Sequence, residues 1–152
     1  IDENIQDFKA VYKQHHLRGR IYFTSKPCKS RAIVRRASLH DIGIDVSSVK
    51  SLHHVLAGGF SPDRIEATGP KNADYILTCL QLDVLLNVDS FDELKSIIAF
   101  HKKLGLTRKA RIMVRLCGFS SSRMSFTPQD HTFGIHTKYI PEIFDFLITH
   151  KD

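Results

Sequence analysis

The stretch Asp83-Val-Leu-Leu-Asn-Val-Asp-Ser-Phe-Asp-Glu-Leu94 joins a strand pattern directly to a helix start. Val84–Val88 is nearly continuous in apolar residues, which is typical of a parallel strand that is covered on both faces. Ser90 and Glu93 have the spacing of a capping box, in which the hydroxyl and the carboxylate accept hydrogen bonds from amides of the first turn. Apolar residues then recur at helical spacing until Gly105, which can end a helix. The stretch therefore predicts one strand–helix unit.

The same unit recurs along the chain, with a helical pattern after each predicted strand. The predicted strands are Arg20–Thr24, Gly43–Ser47, Arg64–Thr68, Val84–Val88 and Arg111–Leu116, and the last helix runs from Lys138 to His150. Such a repeat predicts βα units joined by right-handed crossovers. Two α/β architectures fit it, an open doubly wound sheet and part of a TIM-like (β/α) barrel.

A missing motif bears on the first of these architectures, and the length of the chain bears on the second. No GxGxxG motif follows the first predicted strand, which removes the usual dinucleotide-binding fingerprint of a doubly wound sheet. A complete barrel takes ~250 residues, and this chain has 152. As a barrel, this chain would supply only the first five βα units, to be completed by a second chain or read as a fragment of a longer polypeptide, and we favour the fragment.

Composition and charge limit the classes of function. A hydrophobic fraction of 42% predicts a compact globular domain, and no apolar run reaches the ~20 residues of a membrane span. Three cysteines (Cys28, Cys79 and Cys117) without metal-type spacing indicate a reducing, cytoplasmic setting and no metal site. The net charge of +6 calls for an anionic partner, either nucleic acid or a phosphate-bearing cofactor. Without a nucleic-acid motif, we expect no nucleic-acid partner and no membrane partner.

Polar residues follow each predicted strand, at the edge where ligands bind in both architectures. A desolvated lysine there can form Schiff bases, and an arginine can hold an anionic oxygen. A charge inside the apolar run Ile112–Leu116 must be paired or must face a cavity, because an isolated buried charge is costly. For the other polar residues, solvent exposure and helix capping remain alternatives. The candidates are Lys26, Asp45, Ser47, Ser48, Thr68, Gly69, Asp89, Ser90 and Arg115.

Six segments of the chain resemble, in order, the barrel domain of the fold-type III pyridoxal-phosphate decarboxylases, the ornithine and diaminopimelate decarboxylase family. The strand that ends there in Tyr-Ala-x-Lys-Ala-Asn is similar to Ile21–Cys28, and the Gly-x-Asp-x-x-Ser segment is similar to Gly43–Ser48. The arginine strand is similar to Ile112–Leu116. The other similar segments are Arg64–Lys71, Leu86–Leu94 and Thr132–Ile135. The resemblance thus spans nearly the whole chain, and it implies that residues 1–152 form a single partial TIM-like (β/α) barrel domain of about five βα units.

This resemblance implies a function and a site. Lys26 would attach pyridoxal 5'-phosphate through a Schiff base, and Asp45, Ser48 and Arg115 would line the cofactor pocket. The reaction would be the decarboxylation of an amino acid, of the basic type represented by ornithine, lysine, diaminopimelate and arginine. The full-length protein would be a cytoplasmic homodimer, with the amino-acid substrate as its small-molecule partner.

Some family features are missing from these 152 residues, and three positions depart from the family pattern. The later barrel strands, the glycine-rich phosphate loop and the C-terminal β-domain are absent, so we expect the isolated segment to be inactive. Pro27 and Cys28 replace Ala-Asn after the lysine. Ser51 stands where the family usually has an acid, and Thr132 replaces a lysine that helps to join two subunits in relatives.

These departures leave other functions open. A catalytically inactive, decarboxylase-like regulator or interaction protein is the main alternative. A cofactor-carrying barrel of the racemase-like type is the next, and a nucleic-acid binder is the last.

Overall fold

The computed structural model of the chain describes residues 1–27, 29–118 and 133–150. After the opening helix, each of the first four strands is followed in the chain by an α-helix. The fifth strand is followed by two short strands and then by the last α-helix. The helices are α1 (Asp2–Gln14), α2 (Arg31–Ser38), α3 (Val49–Ala57), α4 (Ala73–Leu82), α5 (Phe91–Lys103) and α6 (Ile140–Thr149). The strands are β1 (Tyr22–Thr24), β2 (Gly43–Val46), β3 (Ile65–Ala67), β4 (Leu85–Val88), β5 (Ile112–Val114), β6 (Leu116–Cys117) and β7 (Ile135–His136).

Strand order distinguishes between the two predicted architectures. Strands β1 to β5 form one parallel sheet in sequential order, and each pairs with the next. A doubly wound sheet reverses its strand order at a switch point, whereas a βα barrel adds each strand beside the last. The prediction of a partial barrel of about five βα units is therefore confirmed, and the doubly wound alternative is wrong.

Side chains that alternate along the strands separate an apolar layer from a polar face. Ile44, Val46, Ile65 and Leu86 are fully buried in the core cluster that the helices share with the sheet. Asp45, next to Ile44 in the chain, points to the opposite face, because successive side chains of a strand alternate. The core thus lies between sheet and helices, and the inner face of the sheet is left for polar residues.

The predicted element boundaries need four corrections. The fifth predicted strand is interrupted at Arg115, because β5 pairs with β4 whereas β6 pairs with β7 in a second, two-stranded parallel sheet. Arg64 lies in a 3-10 turn, Pro62–Arg64, and its guanidinium donates to the backbone oxygens of Ser38, His40 and Ile42. The last helix begins at Ile140, after a 3-10 turn over Thr137–Tyr139, and α1 was not predicted at all.

The capping box predicted before α5 is half formed. The Ser90 hydroxyl accepts a hydrogen bond from the Glu93 amide at 3.1 Å, as predicted. The Glu93 carboxylate accepts from the Asp89 amide and from Lys71 instead of from the Ser90 amide.

Within the described ranges, no helix is both long and apolar enough to cross a membrane.

Helix α1 is fastened to α2 by the carboxylate of Asp2. This carboxylate contacts Arg36 Nη2 at 2.6 Å and His40 Nε2 at 2.8 Å, and Ile5 is buried in the core. The hydrogen bonds from Arg36 and then His40 lower the pKa of Asp2 to about 2. The docking of α1 therefore depends on an ionised carboxylate at an exposed position.

Acid should loosen this helix before it unfolds the core. A carboxylate with a lowered folded-state pKa contributes stability above its ordinary pKa of about 3.9 and loses that contribution as the pH falls toward the folded value. We expect the hydrogen-exchange protection factors of the α1 amides, which are corrected for the intrinsic pH dependence of exchange, to fall between about pH 4 and pH 2. Asp2→Asn should remove this pH dependence and Glu3→Gln should keep it. Equal acid sensitivity in wild type and Asp2→Asn would contradict this role.

Candidate functional site

A cavity of about 610 Å³ opens where the strands β1 to β5 end. Its size is within the range of about 300–1,000 Å³ that is usual for small-molecule sites. Strand residues that point to the inner face of the sheet form one part of its wall, and the loops after the strands form the rest. The charged and amide side chains in the wall are Lys26, Asp45, Glu66, Asn87 and Arg115.

The structure brings most of the predicted site residues together. Lys26, Asp45 and Arg115 line this one cavity, and so do Ser47, Thr68 and Gly69. Lys26 follows β1 after one intervening residue and is exposed, so its amine is accessible to a ligand. Lys26 and Arg115 therefore line one concave site, although they are 89 positions apart in the sequence.

Three of the predicted residues, Ser48, Asp89 and Ser90, are not in the cavity wall. Ser48 is the N-cap of α3, where its hydroxyl accepts a hydrogen bond from the Ser51 amide at 3.1 Å. The Ser51 hydroxyl accepts one in return from the Ser48 amide at 3.0 Å. Ser48 does not belong to the cavity wall, and Ser51, at the position where relatives carry an acid, completes this capping box.

Two carboxylates lie side by side on the inner face of the sheet. Asp45 and Glu66 are register partners on β2 and β3, so their side chains point to the same side. Thr24 Oγ1 donates to Asp45 Oδ1 at 2.7 Å, and Asn87 Nδ2 donates to Glu66 Oε1 at 2.8 Å. These neutral donors orient the carboxylates, and neither carboxylate forms an ion pair with a described residue. That part of the wall suits a ligand group with a proton to donate.

Arg115 provides the opposite charge, and the structure fixes its guanidinium from two sides. Nη1 donates to Asp89 Oδ1 at 3.2 Å, and Cζ lies 4.9 Å from the centre of the Phe133 ring. The Asp89 side chain is 6% exposed and that of Arg115 is 45% exposed. The sequence predicted a partner or a cavity for the charge of Arg115, and that partner is Asp89. Gly134, at φ +91°, runs close to Arg115, and a Cβ there would lie 3.2 Å from Arg115 Cγ.

Sequence reasoning missed Glu66 and Asn87, and it treated Asp89 as a capping residue. A signal was present for Glu66, because it is a charge between two apolar residues of a strand, as Arg115 is. Asn87 interrupts the apolar run of β4 in the same way. The Oδ1 atom of Asn87 is buried and makes no hydrogen bond within the described part of the chain. Such an acceptor at a cavity wall favours a ligand with a donor group.

One family model matches nearly the whole chain. It is described as "Pyridoxal-dependent decarboxylase, pyridoxal binding domain" and matches residues 1–149. Diaminopimelate decarboxylase of Helicobacter pylori is 29% identical over 150 residues, which are 95% of this chain and 36% of that protein. The uncharacterized protein y4yA of Sinorhizobium fredii is 32% identical over 97 residues, which are 63% of this chain and 21% of that protein.

Solved structures agree with the fold. Diaminopimelate decarboxylase of Helicobacter pylori, complexed with L-lysine, has a TM-score of 0.82 at 26% identity and covers 98% of this chain. Arginine decarboxylase of Paramecium bursaria Chlorella virus has a TM-score of 0.72 at 17% identity, which supports the fold alone. The chain spans 38% and 39% of the lengths of these two proteins.

Proposed function

This chain belongs to the family of the pyridoxal-dependent decarboxylases, as a pyridoxal-binding domain, and on that premise we propose that it serves the decarboxylation of a basic amino acid. Lys26 is the proposed point of cofactor attachment, through a Schiff base. Asp45 and Arg115 are the proposed cofactor-binding residues. The observation that carries the proposal is that the amine of Lys26 and the guanidinium of Arg115 line the same cavity.

The groups in the cavity wall fit pyridoxal phosphate. An accessible lysine amine suits its aldehyde, and a guanidinium suits its anionic oxygens. Two adjacent carboxylates, Asp45 and Glu66, suit a ligand group with a proton to donate, and Asn87 Oδ1, which has no hydrogen-bond partner among the described residues, is an acceptor for a further donor. When bound, this cofactor withdraws the electrons that remain when carbon dioxide leaves the α-carbon of an amino acid.

The residues of this chain then have separate tasks. Lys26 binds the aldehyde carbon, and the net positive charge of the protein favours an anionic ligand. Arg115, held by Asp89, orients an anionic oxygen at the rim. Thr24 and Asn87 orient the two carboxylates, which keep a proton on the ligand atom that faces them. Ser48 was also predicted to bind the cofactor. Its position outside the cavity wall does not support that role.

Other parts of the proposal rest on the family resemblance. We infer that residues 1–152 are one part of a barrel, because β1 and β5 each pair along one side only within the described residues. The remaining strands and the C-terminal β-domain would complete the site. A homodimer and a cytoplasmic location are proposed on the same basis. The position of Thr132, which bears on the dimer contact, lies outside the described residues.

Release of carbon dioxide tests the proposed activity. The purified full-length protein, supplied with pyridoxal phosphate, is expected to release carbon dioxide from one of ornithine, lysine, diaminopimelate and arginine, whereas residues 1–152 alone are expected to release none. Cofactor binding without release from any of them would favour the inactive, decarboxylase-like alternative, which Pro27 and Ser51 motivate. Inversion of the α-carbon without release would favour the racemase-like alternative.

A further inference from the structure

A buried ion pair lies directly behind the rim of the cavity. Lys71 Nζ is 2.9 Å from Glu93 Oε1, and the two side chains are 0% and 5% exposed. Lys71 Nζ also donates to the backbone oxygens of Gly69, at 2.8 Å, and of Asn87. The three donors of the ammonium group are therefore all used. Two of its partners, Gly69 and Asn87, belong to the wall of the cavity.

The Glu93 carboxylate extends this network toward Arg115. Its Oε2 accepts from the Lys71 amide at 3.0 Å, and its Oε1 accepts from the Asp89 amide at 3.2 Å. Asp89 in turn accepts from Arg115 Nη1 at 3.2 Å. A continuous set of hydrogen bonds thus leads from the loop after β3 to the guanidinium, through the first turn of α5.

Stability alone is a weak reason for such a pair. The free energy lost when two charges are removed from water is nearly as large as the free energy gained from their attraction. Apolar residues of the same volume therefore often stabilise a fold equally well. Positioning explains more of what is observed, because each partner of Lys71 and Glu93 either lines the cavity or holds a residue that does. The exposed pair of Lys95 with Asp92, by contrast, includes no residue of the cavity wall.

We propose that Lys71 and Glu93 are positioning residues for Arg115. They fix Asp89 and the loop at Gly69, and through Asp89 they determine where the guanidinium lies in the cavity. This inference rests on the proposed function, because it takes Arg115 to be the residue that binds the anionic oxygens of the cofactor. Neither Lys71 nor Glu93 would touch that ligand.

A double-mutant cycle on cofactor affinity separates positioning from stability. The Kd for pyridoxal phosphate is measured by absorbance titration of the intact protein, well below its unfolding temperature, for wild type, Glu93→Gln, Arg115→Leu and the double variant. Glu93→Gln should raise the Kd about tenfold, the equivalent of one charge-assisted hydrogen bond. In the Arg115→Leu background the same change should have almost no effect, because residues that act through one another are not additive.

Two further variants keep the test decisive. Glu93→Asp retains the charge opposite Lys71 but shortens the reach to the Asp89 amide, so it should fold and should raise the Kd in the same direction. Glu142→Gln removes an exposed carboxylate of α6 and should leave the Kd unchanged. An unchanged Kd in folded Glu93→Asp, or equal effects of Glu93→Gln with and without Arg115, would overturn the inference. A wild-type protein that binds no cofactor would instead overturn the proposed function.

Discussion

Replacing Lys71 with methionine is expected to lower the free energy of unfolding by about 3–5 kcal/mol. The Lys71 side chain is fully buried, and its removal leaves the Glu93 carboxylate, which is 5% exposed, without its cation. Breaking a buried pair on one side is costly because the remaining charge is neither solvated nor paired. The change would also leave the backbone oxygens of Gly69 and Asn87 without this donor.

Urea unfolding of the two proteins measures this difference, with circular dichroism as the probe. Lys95→Met is the matched control, because it removes a lysine of α5 whose ion pair with Asp92 is exposed, and it should change the free energy of unfolding by less than about 1 kcal/mol. Similar losses in the two variants would mean that the Lys71–Glu93 pair is not buried as described. A single-domain protein is stable by only about 5–15 kcal/mol, so the predicted loss is a large share of the total.

Replacing Lys26 with alanine is expected to abolish the visible absorption band that lysine-bound pyridoxal phosphate gives to a protein. Lys26 is the lysine in the cavity wall, whereas the fully used amine of Lys71 lies behind that wall. Without the Lys26 amine, the cofactor can be held only by noncovalent contacts such as those to Arg115. The expected result is a complete loss of the band.

Lys29→Ala is the control for this loss. Lys29 is exposed, lies three residues further along and does not belong to the cavity wall, so the band should be retained. A band that persists in Lys26→Ala would place the attachment elsewhere. Thermal unfolding of both variants in the cofactor-free form should match that of the cofactor-free wild type, since an exposed lysine adds little to stability, and this checks that the loss is local.

The periodic features of the sequence were sufficient to predict the repeated βα units, and the family resemblance indicated that these units form part of a barrel. Apolar runs such as Val84–Val88 and helical stripes of apolar residues report burial, and burial on two faces is what a βα unit requires. Helix α1 escaped prediction because a single core residue, Ile5, holds its apolar face. The Asp2 carboxylate also attaches the helix, through Arg36 and His40, and no local sequence pattern indicates these contacts.

The site residues that directly follow a strand could be predicted from the sequence. Lys26 and Arg115 are placed by the strands that precede them, and parallel strands deliver their carboxyl ends to one edge. The pairing of Asp89 with Arg115 and of Lys71 with Glu93 depends on contacts between separate βα units. Glu93 shows why sequence patterns do not predict such contacts. Its spacing from Ser90 predicted a local helix cap, but its carboxylate pairs instead with the buried Lys71, 22 residues away.

The most direct measurement of the central claim is chemical. Borohydride reduction of the protein loaded with pyridoxal phosphate makes the lysine attachment permanent, and peptide mass analysis then identifies the modified residue. We expect the pyridoxyl group on Lys26, with Lys29 and Lys71 unmodified. A modification on a different lysine, or none after loading, would contradict the claim that the Lys26 amine and the Arg115 guanidinium form one cofactor site.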